Sequence, residues 1–462
     1  MKRVLIFEST KHIGKAIKIC GWVNTARSHG KIIFIDLRDQ SGILQIVFDG
    51  KDKDLLSLAQ KIRPEWVVEI TGEVKKRPKN MINPEINTGE IELYPKDLKI
   101  LSEAKTLPFS IETSGYEISE DKRLKYRYLD IRRERLKRNL QLRQEVIRFI
   151  RNFLQDRGFL EVETPFLTKS TPEGARDFLV PSRMHPGEFY ALPQSPQQYK
   201  QLLQVAGIEK YFQIARCLRD EDIRADRQFE FSQLDLEMSF VEQEDILELT
   251  EELFRGIVKN IFPKKKITKT PFPRISYKTA VEKYNSDRPD IRNNKKDNNE
   301  LAFCFVVDFP LFEKTKEKEI SSSHHPFTAP KDEDIELLDK DPMRVRSWQH
   351  DLVLNGWEIG GGSIRIANPK IQSKVFKILG HSEKEIERKF GHLLEAFEYG
   401  VPPHGGIAPG IDRFLAILLE EPNIREVIAF PKTGDGRSLM MKTPSVVSKE
   451  QLREVNIKTI EK

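Results

Sequence analysis

The sequence predicts an α+β protein: a small N-terminal β-barrel, then a larger domain in which an antiparallel sheet is flanked by helices. Three observations carry this. Residues 1 to about 105 hold short alternating strands with Gly and Asn punctuation and little helix. From residue 138 a long helical stripe takes over. Beyond it, two hairpin patterns around 211–240 and 351–366 alternate polar with apolar residues, the period of strands buried on one face. The domain plan is 1–105 barrel, 106–137 linker, 138–445 larger domain and 446–462 tail.

In the barrel, strands are expected at Lys18–Val23, Ile32–Asp39, Leu44–Phe48, Trp66–Val74 and Glu90–Tyr94, with a helix over Asp54–Arg63 between the third and fourth. That is the order of an OB barrel, a fold that often binds single-stranded nucleic acid through aromatic and basic side chains on one face. Arg27, Phe34 and Gln45 supply that inventory, although a phenylalanine in a strand more often belongs to a core. The charged run Lys122–Arg133 reads as part of an interdomain hinge. A helix follows over Arg138–Arg157, with Leu142, Val146, Ile147, Ile150, Phe153 and Leu154 as its apolar stripe and Gly158 as its stop. The strand after it carries Pro165, which suits a sheet edge.

The composition limits the function classes. Lys plus Arg number 77 against 71 Asp plus Glu, a net charge of +6 that suits a polyanionic partner and equally an ordinary enzyme. Cys20, Cys217 and Cys304 fit neither a zinc spacing nor a disulfide framework, so a reducing compartment and no zinc are expected. With no long apolar stretch, the chain is expected to be soluble and cytoplasmic, without a membrane partner.

Four constellations in the larger domain carry chemistry. Ser195 reads as the N-cap of a helix whose Gln197 and Lys200 share one face, and the upstream loop Thr171–Asp177 brings the carboxylate of Glu173. Tyr211–Leu218 and Phe231–Phe240 form a hairpin whose connection, Asp220–Glu230, is too long for a tight turn and heavily charged, as a cover over an anionic ligand would be. Arg219 and Glu221 are expected on one strand face, and Gln233, Asp235 and Glu237 on another. Asn355-Gly356 should turn a hairpin that pairs Val353 with Glu358 and makes Asp351 a diagonal neighbour of Glu358. Two such carboxylates repel unless a cation lies between them, which suggests Mg²⁺ shared with phosphates; Arg365 needs a bulge at Gly360–Gly362 to join their face. Finally, a Gly-rich turn at 402–410 enters an apolar helix with Arg413 in its first turns, a setting that favours phosphate.

The run R-D-E-D-I-R-A-D-R-Q-F-E-F-S-Q-L-D-L-E from Arg219 to Glu237 resembles motif 2 of the class II aminoacyl-tRNA synthetases. The helix, strand and proline before it resemble motif 1, and the segment around Arg413 motif 3. Class I signatures are absent. T-P-E-G-A-R-D, S-P-Q-x-x-K-Q-L-L, H-H-P-F-T, G-G-G-S-I-R-I and, near the start, G-W-V-N-x-x-R with F-I-D-L-R-D are similar to the bacterial-type aspartyl-tRNA synthetases over nearly the whole chain. The resemblance implies an OB-fold anticodon-binding domain and a class II catalytic domain. It further implies that Glu173, Gln197, Lys200, Arg219, Asp235, His324 and Arg365 bind L-aspartate; that Arg219, Asp220, Glu221, Gln228, Phe231, Glu358, Gly410, Ile411, Asp412 and Arg413 bind ATP; and that Asp351 and Glu358 hold Mg²⁺. Arg219, Glu358 and Arg413 would be catalytic, and Arg27, His29, Phe34, Gln45 and Glu92 would face the anticodon.

The implied reaction activates aspartate as its adenylate and transfers it to tRNA(Asp) on a homodimer whose interface includes motif 1. In this family a histidine at position 29 often accompanies enzymes that also charge tRNA(Asn), so both tRNAs are expected substrates. One departure is plain: Asp290–Glu300 runs as a short polar loop where the bacterial form carries a domain-sized insertion. Three readings rival this one. An asparaginyl-tRNA synthetase is the nearest; a small-amide ligase would lack the barrel; a non-catalytic tRNA-binding paralogue would have lost Arg219, Glu358 or Arg413, and all three stand.

Overall fold

In a computed structural model, described over residues 1–170, 175–315 and 319–460, the chain forms two compact units, Met1–Ser110 and Ile111–Lys462.

In the first, β1 (Ala16–His29), β2 (Ile32–Arg38), β3 (Ile43–Phe48), β4 (Val67–Lys76) and β5 (Ile91–Ser102) close a barrel in the order β1-β2-β3-β5-β4. Helix α1 (Lys53–Lys61) lies between β3 and β4 in sequence and starts where the Asp52 carboxylate accepts the amides of Asp54 and Leu55. Strict alternation along β2 sends Ile33, Ile35 and Leu37 into the core and turns Phe34, Asp36 and Arg38 outward. Phe34 is therefore not a core residue. At Gly72 a Cβ would come within 2.8 Å of Pro95 Cα, so β4 and β5 approach closely only because a glycine stands there.

The second unit is built on a sheet in which β6 (Leu160–Glu161), β7 (Lys210–Leu218), β8 (Glu230–Ser239), β9 (Arg274–Ser276), β10 (Phe303–Val307), β11 (Gln349–Leu354), β12 (Trp357–Ile364) and β13 (His404–Pro409) lie in the order β9-β10-β11-β12-β13-β8-β7-β6. The pairings are antiparallel except at the two edges, β6 with β7 and β9 with β10. The strand before Pro165 is thus at an edge, as its proline requires, and only two residues long. Helix α2 (Glu134–Gln155) begins four residues earlier than its apolar stripe suggests; Val146, Ile150, Phe153 and Leu154 pack with α4 (Gln243–Ile261) and α7 (Ile411–Leu418) against Leu234, Leu236, Phe303 and Leu352 of the sheet. Helices α3 (Gln197–Val205), α5 (Pro369–Ile378) and α6 (Glu383–Glu398) also belong to this unit.

The stretch read as a linker, 106–137, belongs from Ile111 onward to the second unit. Four of its charges, Arg123, Arg127, Asp130 and Arg133, are buried rather than solvated. Arg123 pairs with Glu426 through two contacts of 3.0 and 2.9 Å, Arg127 donates to Asp130 and to the carbonyls of Arg425, Ile428 and Ala429, and Arg133 meets Asp130 at 2.7 Å. Each partner comes from hundreds of residues away or from the next turn, so charge density alone misread the segment.

This network makes an acid-stability prediction. Burial would raise the Glu426 carboxyl, but Arg123, Arg127 and Arg135 hold it from its ordinary 4.5 down to about 2. A carboxylate depressed in the folded state stabilises above the unfolded value and loses that contribution as the pH falls through the folded one. Urea denaturation should therefore show stability draining away between about pH 4.5 and 2. Glu426→Gln should cost about 3 kcal/mol at pH 7, the scale for breaking a buried ion pair, and should flatten that acid limb.

Candidate functional site

The site is the sheet face opposite α2, α4 and α7, and strand β8 explains why it is polar. Leu234, Leu236 and Met238 point into the core, so Gln233, Asp235 and Glu237 must point the other way. The expected hairpin is present, with Phe231 opposite Cys217 and Asp235 opposite Gln213. Its first strand stops at Leu218, however, and the Arg219 amide bonds the Phe229 carbonyl at 2.9 Å, so Glu221 lies in the loop rather than on a strand face with Arg219.

A cavity of about 400 Å³ opens on this face. At and beneath its floor lie four buried charges, Lys200, Asp235 and Arg365 on the lining and Glu237 behind them. Lys200 Nζ is 2.7 Å from Asp235 Oδ1 and 3.3 Å from Glu237 Oε2, while Arg365 grips Glu237 through Nε at 2.8 Å and Nη2 at 3.0 Å. Burial raises the Asp235 carboxyl against the pull of Lys200. Glu237 is subject to the same burial, but Arg365 and Lys200 hold it at about 2. Among the described residues Asp235 Oδ2 and Gln197 Nε2 are buried without a hydrogen-bond partner, an acceptor and a donor left open beside the cavity. Lys200 and Gln197 arrive on α3, whose N-cap is Pro196; Ser195, expected as the cap, stands one residue earlier, and its Oγ accepts the Gln197 amide at 3.3 Å.

His324, also on the cavity, is driven by burial and by the charges of Arg365, His350, Lys200 and Arg219 down to about 3, so it is neutral.

The opposite side of the cavity holds arginines and carboxylates. The Arg219 guanidinium lies 5.1 Å from the Phe231 ring centroid, a cation over an aromatic face. Arg413, in the first turn of α7, donates to the carbonyls of Asp226 at 3.1 Å and Glu358 at 2.9 Å, with the Asp226 carboxylate 3.3 Å away. Gln228 is buried, with Oε1 accepting the Lys432 amide and Nε2 open among the described residues.

The turn at Asn355 and Gly356, both with positive φ, pairs Val353 with Glu358 as expected. Leu352 then pairs with Gly360, which makes Ile359 an extra residue. This bulge, one position ahead of the three glycines, shifts the phase so that Arg365 joins Asp351 and Glu358 on the cavity. Gly361 is needed there, because a Cβ would come within 2.7 Å of His324 Cε1 and 3.2 Å of Asp351 Oδ1. Asp351 is pushed well above the usual carboxylate range, first by burial and then by Glu358. Its oxygen donors, set against a second carboxylate, fit a hard dication that would relieve this repulsion. Among the described residues no group of three or more His, Cys, Asp or Glu could hold a metal, so two carboxylates would share such an ion with other ligands.

Three expected residues do not present a free side chain to the cavity. Asp220 lies off the cavity, its amide bonded to the Arg176 carbonyl. Ile411, the first residue of α7, turns its side chain into the core. Asp412 borders the cavity, but its carboxylate is taken by Arg143 and by the Ser232 amide at 2.8 Å. Glu173 falls outside the described residues. Conversely, sequence reading passed over His325, Gln349, Asp226 and Asp287, all of which border the cavity. His325 and Asp226 stood inside quoted motifs, whereas nothing in the sequence marks Asp287.

On the barrel, Arg27 pairs with Asp36 at 2.8 Å and lies opposite Phe34 in register, and the Phe34 ring meets His29 edge-on at 5.9 Å. Gln45 donates to Glu92 at 3.3 Å. The five candidate residues therefore form two adjoining groups, joined by the pairing of Phe34 and Asp36 in β2 with Val47 and Gln45 in β3.

Residues 119–434 match the family described as tRNA synthetases class II (D, K and N), and residues 17–101 match the OB-fold nucleic acid binding domain. The chain is 43% identical to an aspartate–tRNA(Asp/Asn) ligase of Rubrobacter xylanophilus, covering 96% of this chain and 95% of that protein. It is 44% identical to the ligase of the same name from Dictyoglomus turgidum, covering 98% and 97%. Those alignments run over 570 and 576 positions against 462 residues here, so each relative carries over a hundred residues with no counterpart in this chain. The fold is similar to that of the asparaginyl-tRNA synthetase of Pyrococcus horikoshii with asparaginyl-adenylate, at a TM-score of 0.76, 24% identity and coverage of 94% of this chain and 98% of that one. Among the described residues no helix is long and apolar enough to cross a membrane. A five-stranded OB barrel, an eight-stranded sheet with a charged cavity on its open face, and a family match over most of its length thus make this chain a member of the class II tRNA synthetases, an aminoacyl-tRNA ligase with an OB-fold nucleic acid binding domain.

Proposed function

We propose that the chain joins L-aspartate to tRNA(Asp) at the expense of ATP, and that it also charges tRNA(Asn). The observation that carries the amino acid is the floor of the cavity. Lys200 and Arg365 supply cations for a side-chain carboxylate, and the open Oδ2 of Asp235 supplies an acceptor for the ammonium. The relatives named for aspartate and both tRNAs support the reading. Asparagine is the second reading, favoured by the fold neighbour that carries asparaginyl-adenylate. Purified enzyme should catalyse ATP–pyrophosphate exchange with aspartate and not with asparagine; exchange with asparagine alone reverses the assignment.

In the first step the aspartate α-carboxylate attacks the α-phosphorus of ATP and pyrophosphate leaves, so no protein nucleophile is required. Arg219 would meet the α-phosphate and Phe231 the adenine, while Arg413 would hold the far end of the triphosphate. Asp351 and Glu358 would hold Mg²⁺, which when bound neutralises phosphate charge. In the second step the 3′-terminal hydroxyl of the tRNA attacks the adenylate. Exposed Leu160, Phe166 and Leu167, after α2, support a homodimer. We place the enzyme in the cytoplasm, with its substrates. Because none of Asp290–Glu300, the loop at which the additional domain of the relatives is expected, lines the cavity, charging should survive its absence while contacts to the acceptor stem weaken.

Arg219→Ala, Arg413→Ala and Glu358→Ala should each lower aspartate-dependent exchange by ~100-fold or more with the fold intact by circular dichroism, the range for removing a group that stabilises developing charge. Near-normal exchange removes that residue from the mechanism. Arg365→Lys should raise the KM for aspartate strongly and that for ATP little, since lysine cannot copy the two-pronged grip on Glu237. On the barrel, His29→Leu should shift charging toward tRNA(Asp), by about 1–3 kcal/mol at most if a single side chain reads a single base. Separate transcripts check this, and no charging of tRNA(Asn) by the wild type ends the dual-tRNA reading.

A further inference from the structure

Every donor of Arg365 is spoken for. Nε and Nη2 face Glu237, Nη2 also approaches the Gly406 carbonyl at 3.4 Å, and Nη1 meets Ser363 Oγ at 2.5 Å and His325 Nε2 at 2.6 Å. A guanidinium has five N–H donors and no acceptor, so these contacts exhaust it.

The contact with His325 dictates the state of the imidazole. Nε2 must offer its lone pair to the cation, so the neutral ring carries its proton on Nδ1, where Thr328 Oγ1 lies 3.3 Å away as acceptor. The Phe327 amide, 3.2 Å from the same Nδ1, loses the competition to the charge-assisted bond. Thr328 Oγ1 then donates to Ser363 Oγ at 3.3 Å, which closes a ring of four side chains, and a backbone bridge between Thr328 and Arg365 fixes the ring's two ends. Burial, with His324, Arg365 and Lys200 adding to it, keeps His325 well below the ordinary imidazole range and therefore neutral.

The two ends of Arg365 are thus unequal. The Nε–Nη2 edge faces a permanent anion, so a second carboxylate is repelled there. The Nη1 end is held only by neutral groups, which do not repel an arriving anion. We infer that His325 is a positioning residue for the amino-acid substrate, holding the Nη1 end of Arg365, with Thr328 and Ser363, in the place where the substrate's side-chain carboxylate meets it. This rests on the aspartate reading above.

The test is His325→Leu against His325→Gln in ATP–pyrophosphate exchange with saturating ATP and then with saturating aspartate. Leucine removes the acceptor; glutamine Oε1 replaces it. The leucine variant should raise the aspartate KM about tenfold, the effect of losing a hydrogen bond to a charged group, with the ATP KM and kcat within about twofold. Glutamine should recover most of that loss. Equal aspartate KM values in the two variants, an unchanged KM in the leucine variant, or a parallel rise in the ATP KM each overturn the inference. Should the leucine variant not fold, Ser363→Ala probes the other partner of Nη1: a raised aspartate KM alone supports the ring, and no change overturns it. Wild-type enzyme without aspartate-dependent exchange would bring down the aspartate reading itself and the inference with it, and so separates the two failures.

Discussion

The structure of the site depends on one constraint, the opposition between the two faces of β8. A strand with Leu234, Leu236 and Met238 in a helix-covered core has no choice but to turn Asp235 to the cavity and to bury Glu237 on that same side of the sheet. Two carboxylates in one buried place are untenable without cations, and Lys200 from α3 and Arg365 from the end of β12 supply them. The position of α3 and the path of the β12 exit are therefore tied to the same four charges. His404, on the neighbouring strand β13, lies behind Glu237 and Gln201, and Gly406 beside it must be a glycine because a Cβ would run into Leu236 O and the Glu237 carboxylate.

What could be read in the sequence divides along a physical line. Periodicity gave the barrel order, the β7–β8 hairpin and the Asn355-Gly356 turn, because each is decided by neighbours in the chain. Contacts between distant segments were not legible. The charges of 123–133 look solvated until Glu426 and the carbonyls beyond it are brought alongside, and Asp412 looks like a ligand residue until Arg143 and the Ser232 amide occupy it. Asp287 offers no local signal at all, since only the fold carries it to the cavity.

The barrel shows the same division in miniature. An aromatic at position 34 is equally at home in a core or on a surface, and composition favours the core. The alternation of Ile33, Ile35 and Leu37 decides it, leaving Phe34 outside beside His29 and Arg27. Arg27 is paired with Asp36, so a polyanion arriving on this face meets a cation that is already oriented.

The single extra residue at Ile359 means that this cavity depends on chain length as much as on chemistry. Neither Ile359 nor its neighbours Gly360 and Gly362 lends a functional group, yet together they act as a phase shifter that decides on which side of the sheet Arg365 emerges. Gly360 and Gly362 admit no side chain, because a Cβ would come within 2.6 Å of Pro409 Cα and 2.3 Å of Gly406 O, so only position 359 can exchange one aliphatic side chain for another. Losing one position would carry the arginine through to the hydrophobic side, away from Glu237, while leaving every residue of the motif intact. A family with this hairpin is thus expected to hold both its glycines and its count fixed.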